Sequence, residues 1–153
     1  MKHNSQNRIE ALKPLSRDHH HGLLLCWKIR QGLKLNIETE RIKKYAGWFW
    51  KQHLQPHFEI EEKFIFTILG NQNELIKQAL AEHRRLKRLF ENESEIQKSI
   101  SLIEEELEKH IRFEERVLFN EIQKVATKEQ LQQIQLYHSD SKFADNLTDP
   151  FWE

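Results

Sequence analysis

Apolar residues recur at three- and four-residue intervals along almost the whole chain, and sustained alternation at period two is absent. This is the one-face repeat of an α-helix and excludes a β-rich fold. Four glycines and three prolines are too few to punctuate a series of short strands. Leu, Glu, Lys, Gln and Arg, all good helix formers, fill many other positions. The expected class is all-α.

The pattern predicts helices over residues 9–34, 39–69, 73–90, 94–124 and 127–137, with an irregular tail over 139–153. Four long helices with short links predict an up-down-up-down four-helix bundle carrying a short C-terminal fifth helix. With 153 residues the chain is expected to form a single domain, 1–153. Pro56 must kink or split the second helix, because it lacks a backbone donor and crowds the preceding turn. Gly70-Asn71 marks that helix's end. Ser94 with Gln97, and Thr127 with Gln130, have capping-box spacing. Trp48, Phe49 and Trp50 cannot share one buried stripe, so one is expected to cover a bundle end or a homodimer contact. Phe151 and Trp152 are the expected anchors of the tail.

Charge and cysteine content narrow the setting. Lys plus Arg number 24 and Asp plus Glu 24, so no positive excess favours a nucleic-acid partner. Residues 1–35 carry seven Lys/Arg against two Asp/Glu, while residues 91–121 carry ten Glu against four Lys/Arg. Opposite signs suit first and fourth helices that lie side by side. The run Arg84, Arg85, Lys87, Arg88 reads as a solvated helix face. Cys26 is the one cysteine, which predicts a buried, inert thiol and a reducing, cytoplasmic setting. Met1 to Glu10 is polar, with no secretory signal expected, and no apolar run reaches the roughly 20 residues that span a bilayer.

Each long helix interrupts its apolar stripe with a polar side chain that can bind metal. The first reads Leu12, Leu15, His19, Gly22/Leu23, Cys26, Ile29, Leu33; the second Leu54, His57, Glu61, Phe64, Ile68. The third reads Ile76, Ala79, His83, Leu86, Phe90; the fourth Ile103, Leu107, His110, Glu114, Val117. Burying four imidazoles and two carboxylates in one layer is very costly unless a cation neutralises the acids and uses the ring lone pairs. His57 and Glu61 are four residues apart, as are His110 and Glu114, so each pair aims a nitrogen and an oxygen at one point. Four terminal imidazoles and two bridging carboxylates suit two first-row metals, and the lack of thiolate argues against structural zinc.

The segments Leu-Ser-Arg-Asp-His (15–19), His-Phe-Glu-Ile-Glu-Glu (57–62), Ala-Glu-His (81–83) and His-Ile-Arg-Phe-Glu-Glu (110–115) resemble the motifs of the hemerythrin-like (HHE cation-binding) family. The resemblance spans the chain to about residue 124 and implies a non-haem site of two iron ions, oxo- or hydroxo-bridged, in a four-helix bundle. Members bind dioxygen, sense oxygen or iron, or repair iron–sulfur centres after nitrosative damage. Oxygen carriers place His-x-x-x-His on the third helix, whereas Lys87 stands four residues after His83 here. One iron is then expected to lose an imidazole, as in the repair and iron-sensing branches. The cysteine-bearing N-terminal extension common in repair proteins is missing from this sequence.

The expected metal ligands are His19, His57, Glu61, His83, His110 and Glu114. His19 is preferred over His20, with His21 last; His53 is given a structural or rim place, with a seventh ligand as its alternative. Glu62 and Glu115 are expected at the core edge, holding Lys or Arg, with orientation of a ligand histidine as the lesser alternative. Leu23, Cys26, Phe64 and Val117 are expected to line an apolar access pocket. The leading function is a di-iron protein that binds or senses dioxygen, nitric oxide or peroxide. Alternatives are a redox enzyme or iron-delivering factor using the same site, and a metal-free helical interaction module.

Overall fold

Pro14 sits in the first turn of helix α1, Lys13–Lys34, where its missing N–H leaves no helical bond unmade. The computed structural model describes residues 7–138 and 142–153. The polar residues 1–6 and the first tail positions, 139–141, lie outside the described residues. A 3-10 turn, Glu10–Leu12, leads into α1. Asn36 closes α1 in the left-handed region at φ 57°, while Ile37 N–H reaches back to Gly32 C=O at 2.9 Å.

The second long segment is helical from Thr39 to Ile68, in pieces. It comprises α2 (Thr39–Phe49), a π turn (Trp50–Leu54), α3 (Gln55–Ile60), a second π turn (Glu61–Ile65) and a 3-10 turn (Phe66–Ile68). Pro56 stands in the first turn of α3, one residue past the first π turn, and Gln55 N–H bonds to Trp50 C=O, five residues back. The wider turn is where the helix absorbs the proline. Gly70, at φ 88°, ends the segment as expected.

Helix α4, Glu74–Glu91, starts at Asn73, whose side chain accepts from Leu75 N–H and Ile76 N–H. Helix α5 is Ile96–Phe113, followed by a π turn (Glu114–Leu118) and α6 (Phe119–Val125). The expected Ser94–Gln97 box does not form. Asn92 Oδ1 takes Ser94 N–H at 3.0 Å and Glu95 N–H at 2.8 Å, so an Asx turn makes the start. Thr127 and Gln130 do form a capping box ahead of α7, Lys128–Tyr137.

All described regular structure is helical. None of these helices is long and apolar enough to cross a membrane, among the described residues. Helix α1 lies along α5, where Arg30 reaches Glu104 and Glu108 at 2.8 and 3.0 Å, as the opposed charge runs predict. Arg85 pairs with Glu106 at 3.0 Å and Lys87 with Glu91 at 3.6 Å, on an exposed face.

Two apolar clusters fill the interior. One holds Leu25, Cys26, Ile29, Ile42, Phe49, Trp50, Phe58, Leu86, Phe90, Leu107 and Ile111 among others. The other holds Leu12, Leu15, Ile65, Phe66, Ile76, Ala79, Leu118, Phe119 and Ile122 among others. Their order along the chain reverses from each long helical segment to the next, and on each the changeover falls at the polar layer. The tail rejoins the first cluster. Phe151 is buried where Gly32 leaves room, since a Cβ on Gly32 would lie 2.8 Å from the Phe151 ring. Lys28 bonds Asp145 and Tyr45 and stands 4.1 Å over the Trp152 ring. Phe49 and Trp50 are both buried, while half-buried Trp48 is covered by Tyr45, His53 and tail residue Phe143.

Candidate metal centre

Between the apolar clusters lie His19 from α1, His57 from α3, His83 from α4 and His110 from α5, with Glu61 and Glu114. All six are buried, the two glutamates completely. Each glutamate is also the first residue of a π turn, with Phe66 N–H bonded to Glu61 C=O and Phe119 N–H to Glu114 C=O. Such turns add one residue to a helix and often mark functional positions.

The six fall into two groups whose donor atoms lie within 4.8 Å of one another: His19, His57, Glu61, Glu114 and Glu61, His83, His110, Glu114. Within the α3 and α5 pairs, His57 Nε2 is 3.1 Å from Glu61 Oε2 and His110 Nε2 is 3.0 Å from Glu114 Oε2. Across helices, His83 Nε2 is 3.1 Å from Glu61 Oε1, and His19 Nε2 is 2.8 Å from Glu114 Oε1. Each carboxylate therefore turns one oxygen toward each histidine pair. Among the described residues the imidazoles divide evenly, so neither half is short of one relative to the other. Lys87, four residues after His83, is exposed beside Glu91 and does not approach.

Each outward nitrogen meets a carboxylate of its own. His19 Nδ1 meets Glu115 at 2.6 Å, His57 Nδ1 meets Asp18 at 2.9 Å, His83 Nδ1 meets Glu62 at 2.7 Å and His110 Nδ1 meets Glu82 at 2.6 Å. An imidazole that donates Nδ1–H to a carboxylate turns its Nε2 lone pair inward, with raised basicity. Glu62 and Glu115 thus orient His83 and His19, the lesser of the two roles expected for them, and Glu115 also holds Arg8 at 3.3 Å, the role expected first. The reason is their phase: each follows a core glutamate and points to the neighbouring helix. Asp18 and Glu82 do the same for His57 and His110, a role the sequence reading did not assign them. Their signal is adjacency, since each immediately precedes one of the four histidines.

The inner atoms fit cations better than one another. Glu61 Oε1 and Oε2, Glu114 Oε2, His83 Nε2 and His110 Nε2 are buried with no hydrogen-bond partner despite their closeness. His19 and His57 bring their Nε2 atoms to 3.2 Å, a spacing a shared cation satisfies more fully than two protons. The carboxylates around the rings favour positive charge between them. Burial opposes charge on every member, yet Glu114, Glu115 and Glu61 hold His19 well above the imidazole range. Burial likewise opposes charge on His57, which Glu61 and Asp18 raise to about 9. His83 and His110 are raised by the same kinds of partner against their own burial. Glu114 stays well below the carboxylate range, because His110, His19 and His83 outweigh its burial. Burial and Glu114 oppose ionisation of Glu61, but His57 and His19 still lower it. A site this dependent on positive charge can hold a metal ion.

The other described histidines stay outside the six. His20 is exposed, His21 stacks on Phe143 at 4.1 Å, and His53 lies 4.5 Å from the same ring, at the rim. A third donor cluster, Asp18, His57 and His138, is the outer neighbourhood of His57, with His138 Nε2 2.7 Å from Asp18.

The expected access pocket does not assemble. Cys26 and Leu23 belong to one apolar cluster, whereas Phe64 belongs to the other and stacks on Tyr137 at 4.6 Å. Val117 is exposed. The π turns explain the last two: the extra residue shifts the stripe, so Ile65 and Leu118 are buried in place of Phe64 and Val117. Instead, Phe58 stacks on His83 at 3.7 Å and Phe119 on His19 at 5.2 Å. Burial pushes the Cys26 thiol up to about 12, in keeping with an inert group.

No family model, curated protein or solved structure matches the chain, so the functional assignment rests on this geometry.

Proposed function

We propose that this chain is a non-haem di-iron protein of the hemerythrin-like kind, an up-down-up-down four-helix bundle that binds or senses a small molecule such as dioxygen, nitric oxide or peroxide. The observation that carries the reading is the pair of buried carboxylates, Glu61 and Glu114, each turned toward both histidine pairs while four outer carboxylates fix the rings. The reversing order of the apolar clusters along successive helices supports the bundle topology.

In this reading His19 and His57 would hold one ion and His83 and His110 the other, with Glu61 and Glu114 turned toward both. Imidazole with carboxylate and no thiolate favours iron. Bound iron supplies redox chemistry and open coordination positions for an exogenous ligand. The protein's part is to orient and to exclude water. Asp18, Glu62, Glu82 and Glu115 keep the four rings turned inward, Phe58 and Phe119 cover two ring faces, and the apolar clusters favour a small uncharged visitor.

An anaerobic ferrous titration, followed by air, azide and nitric oxide, tests the proposal. Expected are near-ultraviolet and visible bands that saturate at two equivalents of iron and shift with each added ligand. Folded protein that gives no such bands would leave a helical interaction module.

A further inference from the structure

The two halves of the centre have matching inner donors and unlike surroundings. On the His19–His57 side the outer carboxylates are pinned. Glu115 accepts from Ser16 at 2.8 Å and from Arg8 at 3.3 Å as well as meeting His19, and Arg8 also bonds the Glu115 carbonyl at 2.9 Å. Asp18 meets His138 as well as His57. These partners come from the segment before α1, from α1 itself and from the end of α7. The cavity bounded by Asp18, His53, His57 and Phe143 measures about 10 Å³, room for about a single water.

The His83–His110 side is looser. Among the described residues Glu62 meets only His83, and its side chain is 45% exposed. Glu82 adds one amide, from Gln78 at 3.0 Å, to its contact with His110. Glu62 and His83 line a groove of about 240 Å³, with Gln55, Glu59, Arg84 and Lys87 also on its walls.

Building on the two-ion reading of the centre, we propose that the two positions exchange metal unequally: His19 and His57 retain their ion, while His83 and His110 release and reload theirs through the groove beside Glu62. Exchange requires a ligand to turn away and an incoming donor to take its place. Water in the groove can take over Glu62's bond to His83 and free the ring to turn. Arg8, Ser16 and His138 deny that freedom to Glu115 and Asp18. Glu62 is therefore a positioning residue for the exchanging half, and Arg8 with Ser16 for the retained one.

The test is release of ferrous iron to excess ferrozine under anaerobic conditions, from protein first shown by elemental analysis to carry two irons. Equal halves losing their ions in sequence would also give two phases, so the variants decide. Glu62→Ala is expected to speed the fast phase by about tenfold or more and leave the slow phase unchanged; paired Arg8→Ala and Ser16→Ala is expected to do the reverse. Two-iron protein that releases both ions in one phase, or variants that act on the opposite phases, would overturn unequal exchange and leave the dinuclear centre standing. Folded protein that takes up no pair of irons overturns both.

Discussion

His110 Nδ1 meets the Glu82 carboxylate at 2.6 Å, so a residue on α4 sets the orientation of an imidazole on α5. Losing an outer partner of this kind typically costs about 10–100-fold in metal affinity. Glu82→Ala is expected to weaken iron binding by that factor while circular dichroism stays native. Competition with a chelator of known affinity measures it. Unchanged affinity would remove Glu82 from the centre.

Glu61 faces both histidine pairs, whereas His57 belongs to one. Glu61→Ala should therefore drop bound iron from two per chain toward zero. His57→Ala should leave one iron, held by His83 and His110 with the remaining carboxylates. Elemental analysis of the two variants distinguishes a bridge from a terminal ligand.

Phe151 is 2% exposed, packed against Gly32 and the Tyr45 ring, so the tail is part of the core. Phe151→Ala is expected to cost about 3–5 kcal/mol, the usual range for a buried phenylalanine. Denaturant unfolding of the metal-free variant against the metal-free parent reads this directly. A loss below 1 kcal/mol, taking ~1 kcal/mol as the ordinary effect of a mutation, would mean the tail adds little.

Asp145 holds the same tail through Lys28 at 2.5 Å and Tyr45 at 2.5 Å. Burial works against its charge, but these two donors keep the carboxyl below the ordinary Asp value of 3.8. A depressed folded value stabilises the fold above the unfolded value, and the stabilisation is lost as pH falls through the folded one. Asp145→Asn should therefore lower the melting temperature at neutral pH, by a margin that shrinks as pH drops below about 4. A margin independent of pH would mean the charge is not what holds the tail.

Burial of the Cys26 thiol predicts that native protein resists alkylation at pH 8 and reacts only when unfolded. Rapid labelling of the native state would contradict the packing around α1.

Helical class and the six inner residues were legible because periodicity and His-x-x-x-Glu spacing are local properties. Phe64 and Val117 were misplaced because a π turn adds a residue without changing composition, and nothing in the local pattern announces it. The Ser94 cap failed because Asn92, two residues earlier, takes the Ser94 N–H that the box would have used and moves the helix N-cap to Glu95. Asp18 and Glu82 carried a readable signal in their adjacency to His19 and His83. Arg8 and His138 carried none, since 107 residues separate Arg8 from Glu115 and 120 separate His138 from Asp18.

The most direct measurement is the metal content of protein purified without a metal-affinity tag, by elemental analysis. A dinuclear centre predicts about two irons per chain, falling when Glu61 or Glu114 is replaced by alanine. Folded protein that carries no metal, and takes up none when offered ferrous iron anaerobically, would contradict it.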